Sequence, residues 1–247
     1  MRRSAVLSLL FLFLASPAWG DSYLTPAAGA VPSQSSLYDY HTTLELQDDF
    51  MGGINSSGNV GNLGWGIAGG TTNYINTEPN RAGIIRRDSG SVSGTLTRMD
   101  LVVVTSGAFD PSHPHSVHAE MRLNQIDADT QMRWGSMSAS SSITPVNGIY
   151  LERLGEDANW FCVTRQASTQ TRIDSGVAVD TEFHGSGYIR TSAGVQFVFG
   201  GVHVCGLMTT NIPTVALDPA FQLTNGAAAS KTYDVDYFEM KITGISR

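Results

Sequence analysis

From Ser116 to Asn124 the chain alternates apolar and polar residues without a break. Val117, Ala119, Met121 and Leu123 fall on one face, and His118, Glu120, Arg122 and Asn124 on the other. A period of two is that of a strand, because successive side chains leave opposite faces of the pleat. One apolar and one polar face make it a strand half-buried in an antiparallel sheet. Thr95–Ser106, Asn147–Leu154, Asn159–Gln166 and Val195–Leu207 are rich in β-branched and aromatic residues and predict further strands. Turn clusters such as "GEDAN", "GSG" and "SAG" separate them. Gly200-Gly201, set between two apolar runs, predicts a tight hairpin that needs positive φ. No window of a dozen residues carries a helical period. Roughly twelve to fifteen short strands with regular turns predict an all-β, two-sheet antiparallel β-sandwich or barrel. No repeat of fixed length points to a propeller or β-helix.

The closing segment "YDVDYFEMKITGISR" breaks the simple alternation. Tyr233, Val235 and Tyr237 share one face, while Asp234 and Asp236 share the other with Phe238, Met240 and Ile242. The apolar character changes face near Tyr237–Phe238, as it does where a strand carries a bulge.

The N-terminus reads differently. Arg2 and Arg3 precede the apolar run Ala5–Ala15, and Ala18 and Gly20 follow at small-residue positions. This predicts a secretory signal peptide over residues 1–20, cleaved after Gly20. The run is too short to span a bilayer comfortably, which weighs against a retained anchor. Residues 21–41, rich in Ser, Ala and Pro, read as a linker or extended arm, with the β-sandwich domain over residues 42–247. The expected product is secreted, periplasmic or extracellular, with no membrane segment after cleavage. Losing two arginines takes the formal charge from −7 to −9. An acidic chain without basic clusters does not suit nucleic acid, whose binding rests on Lys and Arg. The one dense basic spot, Arg86-Arg87, reads as a solvated strand edge. Cys162 and Cys205 are an even pair in an exported chain and permit one disulfide. Two buried free thiols acting as small apolar residues are the equal alternative.

Several stretches resemble known families. "VQFVFGGVHV" looks like the strand–turn–strand of laminin-G and concanavalin A-like domains. "GIYLERLGEDANWFCVTRQASTQTRIDSGVAV" is similar to the central meander of that superfamily, and "YDVDYFEMKI" to its closing strand. "DDFMGGINSSGNVGNLGW" and "NRAGIIRRDSGSVSGT" resemble a branch among bacteriophage structural and tail-associated proteins. The resemblance spans roughly Leu44 to Arg247. It implies a concanavalin A-like jelly roll, and a role in glycan binding or in virion structure. The fold alone does not fix which, since enzymes, lectins and coat modules share it.

The glucanases of this superfamily carry their acids on one strand as E-x-D-x-E, so that alternate carboxylates share a face. No such run occurs here. The nearest face reads His118, Glu120, Arg122, Asn124, and the closing strand offers Asp234 and Asp236 with Phe238 in the third place. The expectation is a non-catalytic module. An unusual glycoside hydrolase lacking the triplet is the last alternative, and a phage-type virion or fibre protein the middle one. His113, His115 and His118 follow Asp110 and offer imidazoles for a metal. The two prolines among them and the opposed faces of His115 and His118 make a solvated loop the default. Sugar rings dock on aromatic faces and are oriented by paired polar groups. Glu120, Arg122, Asn124, Tyr150, Glu152 and Trp160 are therefore the candidate ligand-binding residues. Trp65, Trp134 and Tyr188 are further candidate platforms, with core packing the ordinary alternative for each. The resemblance brings in calcium, for which Asp234/Asp236 and Asp48-Asp49 are the acidic pairs at hand. The expected partner is a glycan or a cell-surface or virion component, and the arm leaves homo-oligomer assembly open.

Overall fold

The computed structural model describes residues 42–51, 60–70, 73–79, 81–101, 109–138 and 143–245. The predicted signal peptide and arm lie outside them, as do parts of both stretches that resemble phage proteins and the end of the strand expected over Thr95–Ser106. The described residues hold fifteen strands and no helix. One sheet has the order β13 (Val202–Met208), β12 (Gly194–Phe199), β11 (His184–Thr191), β6 (His115–Leu123), β15 (Thr232–Thr243), β4 (Arg81–Asp88), β3 (Asn73–Glu78), and β1 (Thr43–Asp48) also pairs with β15. The second has the order β10 (Thr169–Ala178), β9 (Asn159–Gln166), β8 (Gly148–Arg153), β7 (Thr130–Met137), β14 (Asp218–Asn225), β5 (Leu96–Asp100), β2 (Gly66–Ala68). This is the two-sheet antiparallel sandwich that the alternation predicts.

β6 follows its period-two pattern along its whole length. His115, Val117, Ala119, Met121 and Leu123 are buried between the sheets, and Ser116, His118, Glu120 and Arg122 face outward. The hairpin between β12 and β13 turns at Gly200 (φ 57°) and Gly201 (φ 78°). Positive φ at both central residues is what a two-residue turn matching strand twist requires. β15 carries the bulge its face change predicts. Val235 registers with Met121 and Tyr237 with Glu120, so Asp236 is the extra residue. Before the bulge Tyr233 and Val235 point into the core; after it Phe238, Met240 and Ile242 do.

Aromatic side chains fill the space between the sheets. Trp65 meets Phe238 edge-on at 4.7 Å between ring centroids, and Trp134 stacks on Phe221 at 5.5 Å. Each such side chain contributes about 2–3 kcal/mol through burial. Trp65, Trp134, Trp160 and Tyr188 all lie in this core. For Trp160 and the other three this is the core packing that stood as the alternative to a platform. The reading of Arg86-Arg87 as a solvated edge is corrected. Arg87 is buried and donates to Gly69 O (2.8 Å) and Thr97 Oγ1 (2.5 Å), and Arg86 is ion-paired. Their alternation along β4 sends one guanidinium inward and the other outward, so they do not form one basic patch.

Cys162 on β9 and Cys205 on β13 are joined in a disulfide that ties one sheet to the other. Cys205 sits with Gly206 in a bulge of β13, both in the left-handed region (φ 64° each).

Candidate functional site

The outward faces of the two sheets differ in kind. That of the seven-stranded sheet is closed. β8 and β14 are buried along their whole length, and the two described ends of the β7–β8 connection, Ser138 and Ile143, are bonded to this face. Arg133 donates to Ile143 O at 2.9 Å, Gln222 donates to the same oxygen, and Arg98 donates to Ser138 O at 3.2 Å. Beneath this roof β8 turns Gly148, Tyr150 and Glu152 outward, the alternate positions a carboxylate triplet would use. Only Glu152 is an acid. Its two oxygens accept from Arg133 (2.8 Å) and Arg172 (2.7 Å), and Arg172 also binds Asp157. The Tyr150 ring leans over Gly148, where an added Cβ would lie 2.7 Å from Cδ1. Burial pushes the Tyr150 phenol up to about 12, with Glu152 adding to the effect. Tyr150 Oη, Gln222 Oε1, Thr224 Oγ1 and Arg98 Nη2 have no hydrogen-bond partner.

The eight-stranded sheet has the open face. Glu120 and Arg122 stand on β6, Asp234 and Asp236 on β15, Glu78 at the end of β3 and Arg81 at the start of β4. Arg86 holds Asp234 in a fork (Nε–Oδ1 2.5 Å, Nη2–Oδ2 2.6 Å), and Arg122 Nε reaches Asp234 Oδ2 at 2.9 Å and pairs with Glu78. Arg81 bonds Glu120 at 2.6 Å and also Asp236. Both guanidiniums lie on the ring of Phe183, with Arg81 Cζ 4.3 Å and Arg122 Cζ 4.5 Å from its centroid. Hydrogen bonding to Glu120 raises the Arg81 pKa against the opposing effect of burial. Burial lowers that of Arg122, but Glu78 and Asp234 outweigh it and the net shift is upward. Asp236 sits above the usual carboxylate range, since burial outweighs its stabilisation by Arg81. The result is a rigid shelf of donors and acceptors beside an aromatic ring. Its charged side chains other than Asp234 remain between 15% and 37% exposed.

Further along the same face, between β6 and β13, lies a cleft of about 310 Å³ lined by Ser116, His118, Gly187, Ile189, Val198 and His203, among others. Burial lowers the His118 pKa, with Glu239 and Glu120 partly offsetting it.

The six sequence candidates therefore divide three ways. Glu120 and Arg122 stand together on the shelf, with Asn124 just past the end of β6. Tyr150 and Glu152 lie on the opposite side of the sandwich, under a roof. Trp160 is in the core. Period two assigned each to a face but could not say which sheet a strand joins. Glu78, Arg81 and Phe183 went unremarked in sequence, because they sit at strand ends and in a loop where no periodicity operates. The acidic pairs named for calcium are engaged by donors of the protein itself. Both oxygens of Asp234 accept from arginine and Asp236 is bound by Arg81. Asp48 is saturated by four N–H donors: Phe50 N (2.8 Å) and Asn62 N (3.1 Å) on Oδ1, Leu63 N (2.9 Å) and Trp65 Nε1 (3.1 Å) on Oδ2. An oxygen surrounded by donors does not present itself to a cation. Nor do the histidines gather: His115 lies in the core, with its Nε2 3.1 Å from Tyr188 Oη, while His118 faces out. No group of three metal-capable side chains occurs among the described residues.

Solved structures share this architecture. A protein of unknown function from Shewanella oneidensis MR-1 matches with TM-score 0.62 at 13% identity, over 88% of this chain and 97% of that one. The Bacillus licheniformis β-glucanase matches with TM-score 0.53 at 14% identity, over 81% and 97%. The Emp47p carbohydrate recognition domain matches with TM-score 0.55 at 11% identity, over 83% and 98%. No protein-family model matches the chain, and no curated protein does. At such identities the likeness is one of fold, and the fold is the concanavalin A-like jelly roll shared by lectin and glucanase domains.

Proposed function

We propose that the protein is an exported, non-catalytic module that binds a glycan on the ion-paired shelf of its eight-stranded sheet. One observation carries the reading: charged side chains from four strands are locked around Phe183 by mutual ion pairs and still keep part of their surface in solvent. A saccharide needs fixed donors and acceptors beside an apolar ring face, and groups already held in place lose little freedom on binding. The lectin and glucanase domains of the same fold support glycan as the ligand class. The lone carboxylate on β8, with both oxygens held by arginines, supports a role without hydrolysis, since glycoside cleavage uses a pair of free carboxyl groups.

A glycan array probed with and without calcium tests this. Binding is expected to be independent of calcium and to weaken by at least ~10-fold in Arg81→Ala and Glu120→Ala. A second reading puts the saccharide on the closed face, favoured by the unpartnered Tyr150, Gln222, Thr224 and Arg98 atoms. If Tyr150→Phe and Glu152→Gln abolish binding while the shelf variants do not, the second reading stands. Measurable hydrolysis of a β-glucan, lost in Glu152→Gln or Glu120→Ala, would overturn the non-catalytic role.

A further inference from the structure

The cleft between β6 and β13 owes its shape to missing side chains. Gly187 registers opposite His118 on one side and Val198 on the other, and Val198 opposite His203. Gly185 and Gly187 both face outward, so the first half of β11 presents bare backbone there. A Cβ at Gly187 would come within 2.0 Å of Val117 O, so this bareness is imposed by the close approach of β6. The His118 ring leans over Gly185, where a Cβ would lie 3.0 Å from its Nε2. The floor is therefore flat, and Val198 and Ile189 (39% exposed) give the walls an aliphatic character. The polar groups of the lining side chains belong to Ser116, Tyr188 and the two imidazoles. Tyr188 is turned into the core, where its hydroxyl donates to Ser136 Oγ at 2.6 Å. No carboxylate, ammonium or guanidinium group lines the cleft.

These features select a ligand. The volume is at the small end of binding cavities, suited to one ring. The absence of charge disfavours an ionised guest, which would leave water without a counter-charge. A sugar ring carries hydroxyls around its whole rim, and those turned toward Ile189 and Val198 would lose hydration with nothing to replace it. A flat aromatic ring loses nothing on that floor, meets the imidazoles edge-on, and can direct a single hydroxyl to Ser116 or His203. We infer that the cleft is a binding site for a single-ring, uncharged aromatic molecule of the phenol class, separate from the ion-paired shelf.

Amide NMR of the full-length exported protein titrated with phenol tests the inference, with methyl β-glucopyranoside as the comparison ligand. Phenol is expected to shift Gly187, Ile189 and Gly201 with a dissociation constant of about 1 mM or tighter. The glucoside is expected to leave them unmoved. Val198→Phe fills the cleft and should weaken phenol at least ~10-fold. Ile189→Asp, a change at an exposed position, should do the same by adding charge. Three outcomes would overturn the site: no shift at these residues, equal shifts with the glucoside, or unaltered phenol binding in a variant whose spectrum shows a native fold. Shifts that follow protein concentration rather than phenol would assign the cleft to a second copy of the chain and overturn it too.

Discussion

Asp48 shows how far one buried charge can organise a loop. Its carboxylate takes the amides of residues 50, 62 and 63 and the indole of Trp65, and so fixes where that indole enters the core. Asp48→Asn keeps the volume but turns an amide donor toward donors. A loss of about 2–4 kcal/mol in unfolding free energy is expected, read by denaturant titration followed through tryptophan fluorescence. His115 is the residue to watch in acid. Burial lowers its pKa to about 4, against 6.5 unperturbed, and the bond to His113 O offsets this only in part. Between those values the unfolded chain binds a proton that the folded one refuses, so stability falls as pH drops from about 6.5 to 4 and levels off below. The difference corresponds to about 3 kcal/mol. His115→Gln should flatten that part of the pH–stability curve. Neither role could be read from sequence. "QDDF" and "SHPHSVH" name groups that can ionise, but what surrounds them comes from strands far away in the chain.

Strands were the legible scale. β6 and the β12–β13 hairpin follow directly from alternation and paired glycines, because a half-buried strand must alternate and a two-residue turn must adopt positive φ. β15 was legible down to its irregularity, since Phe238, Met240 and Ile242 could reach the core only if one residue were looped out. Deleting Asp236 would remove that residue and join Val235 to Tyr237 in regular alternation, so that Tyr233 and Val235 as well as Phe238, Met240 and Ile242 still face the core. Such a variant is expected to keep a cooperative thermal transition in calorimetry, whereas deleting Val235 and Asp236 together, which shifts the alternation by one, should abolish it. What alternation could not supply was pairing. The shelf is assembled from β3, β4, β6 and β15, and the separation of Glu120 from Glu152 appears only once each strand has its sheet.

Across the whole molecule, the link between Cys162 and Cys205 fastens the sheets together at the β13 side of the sandwich. It closes a stretch of 43 residues, for which chain entropy predicts about 4 kcal/mol of stabilisation. Replacing both cysteines by alanine should lower the unfolding free energy by up to that amount and leave shelf binding within twofold of the parent, checked by denaturant titration and glycan binding together. The open and closed faces have different histories available to them. At Gly187 any side chain would push β11 off β6, so chance substitution cannot pave over the bare strand without loss of the sheet. Ile189, Val198 and His203 carry no such restriction. The hollow is thus a fixture that a lineage can refit at its walls but not erase, whatever use it makes of it.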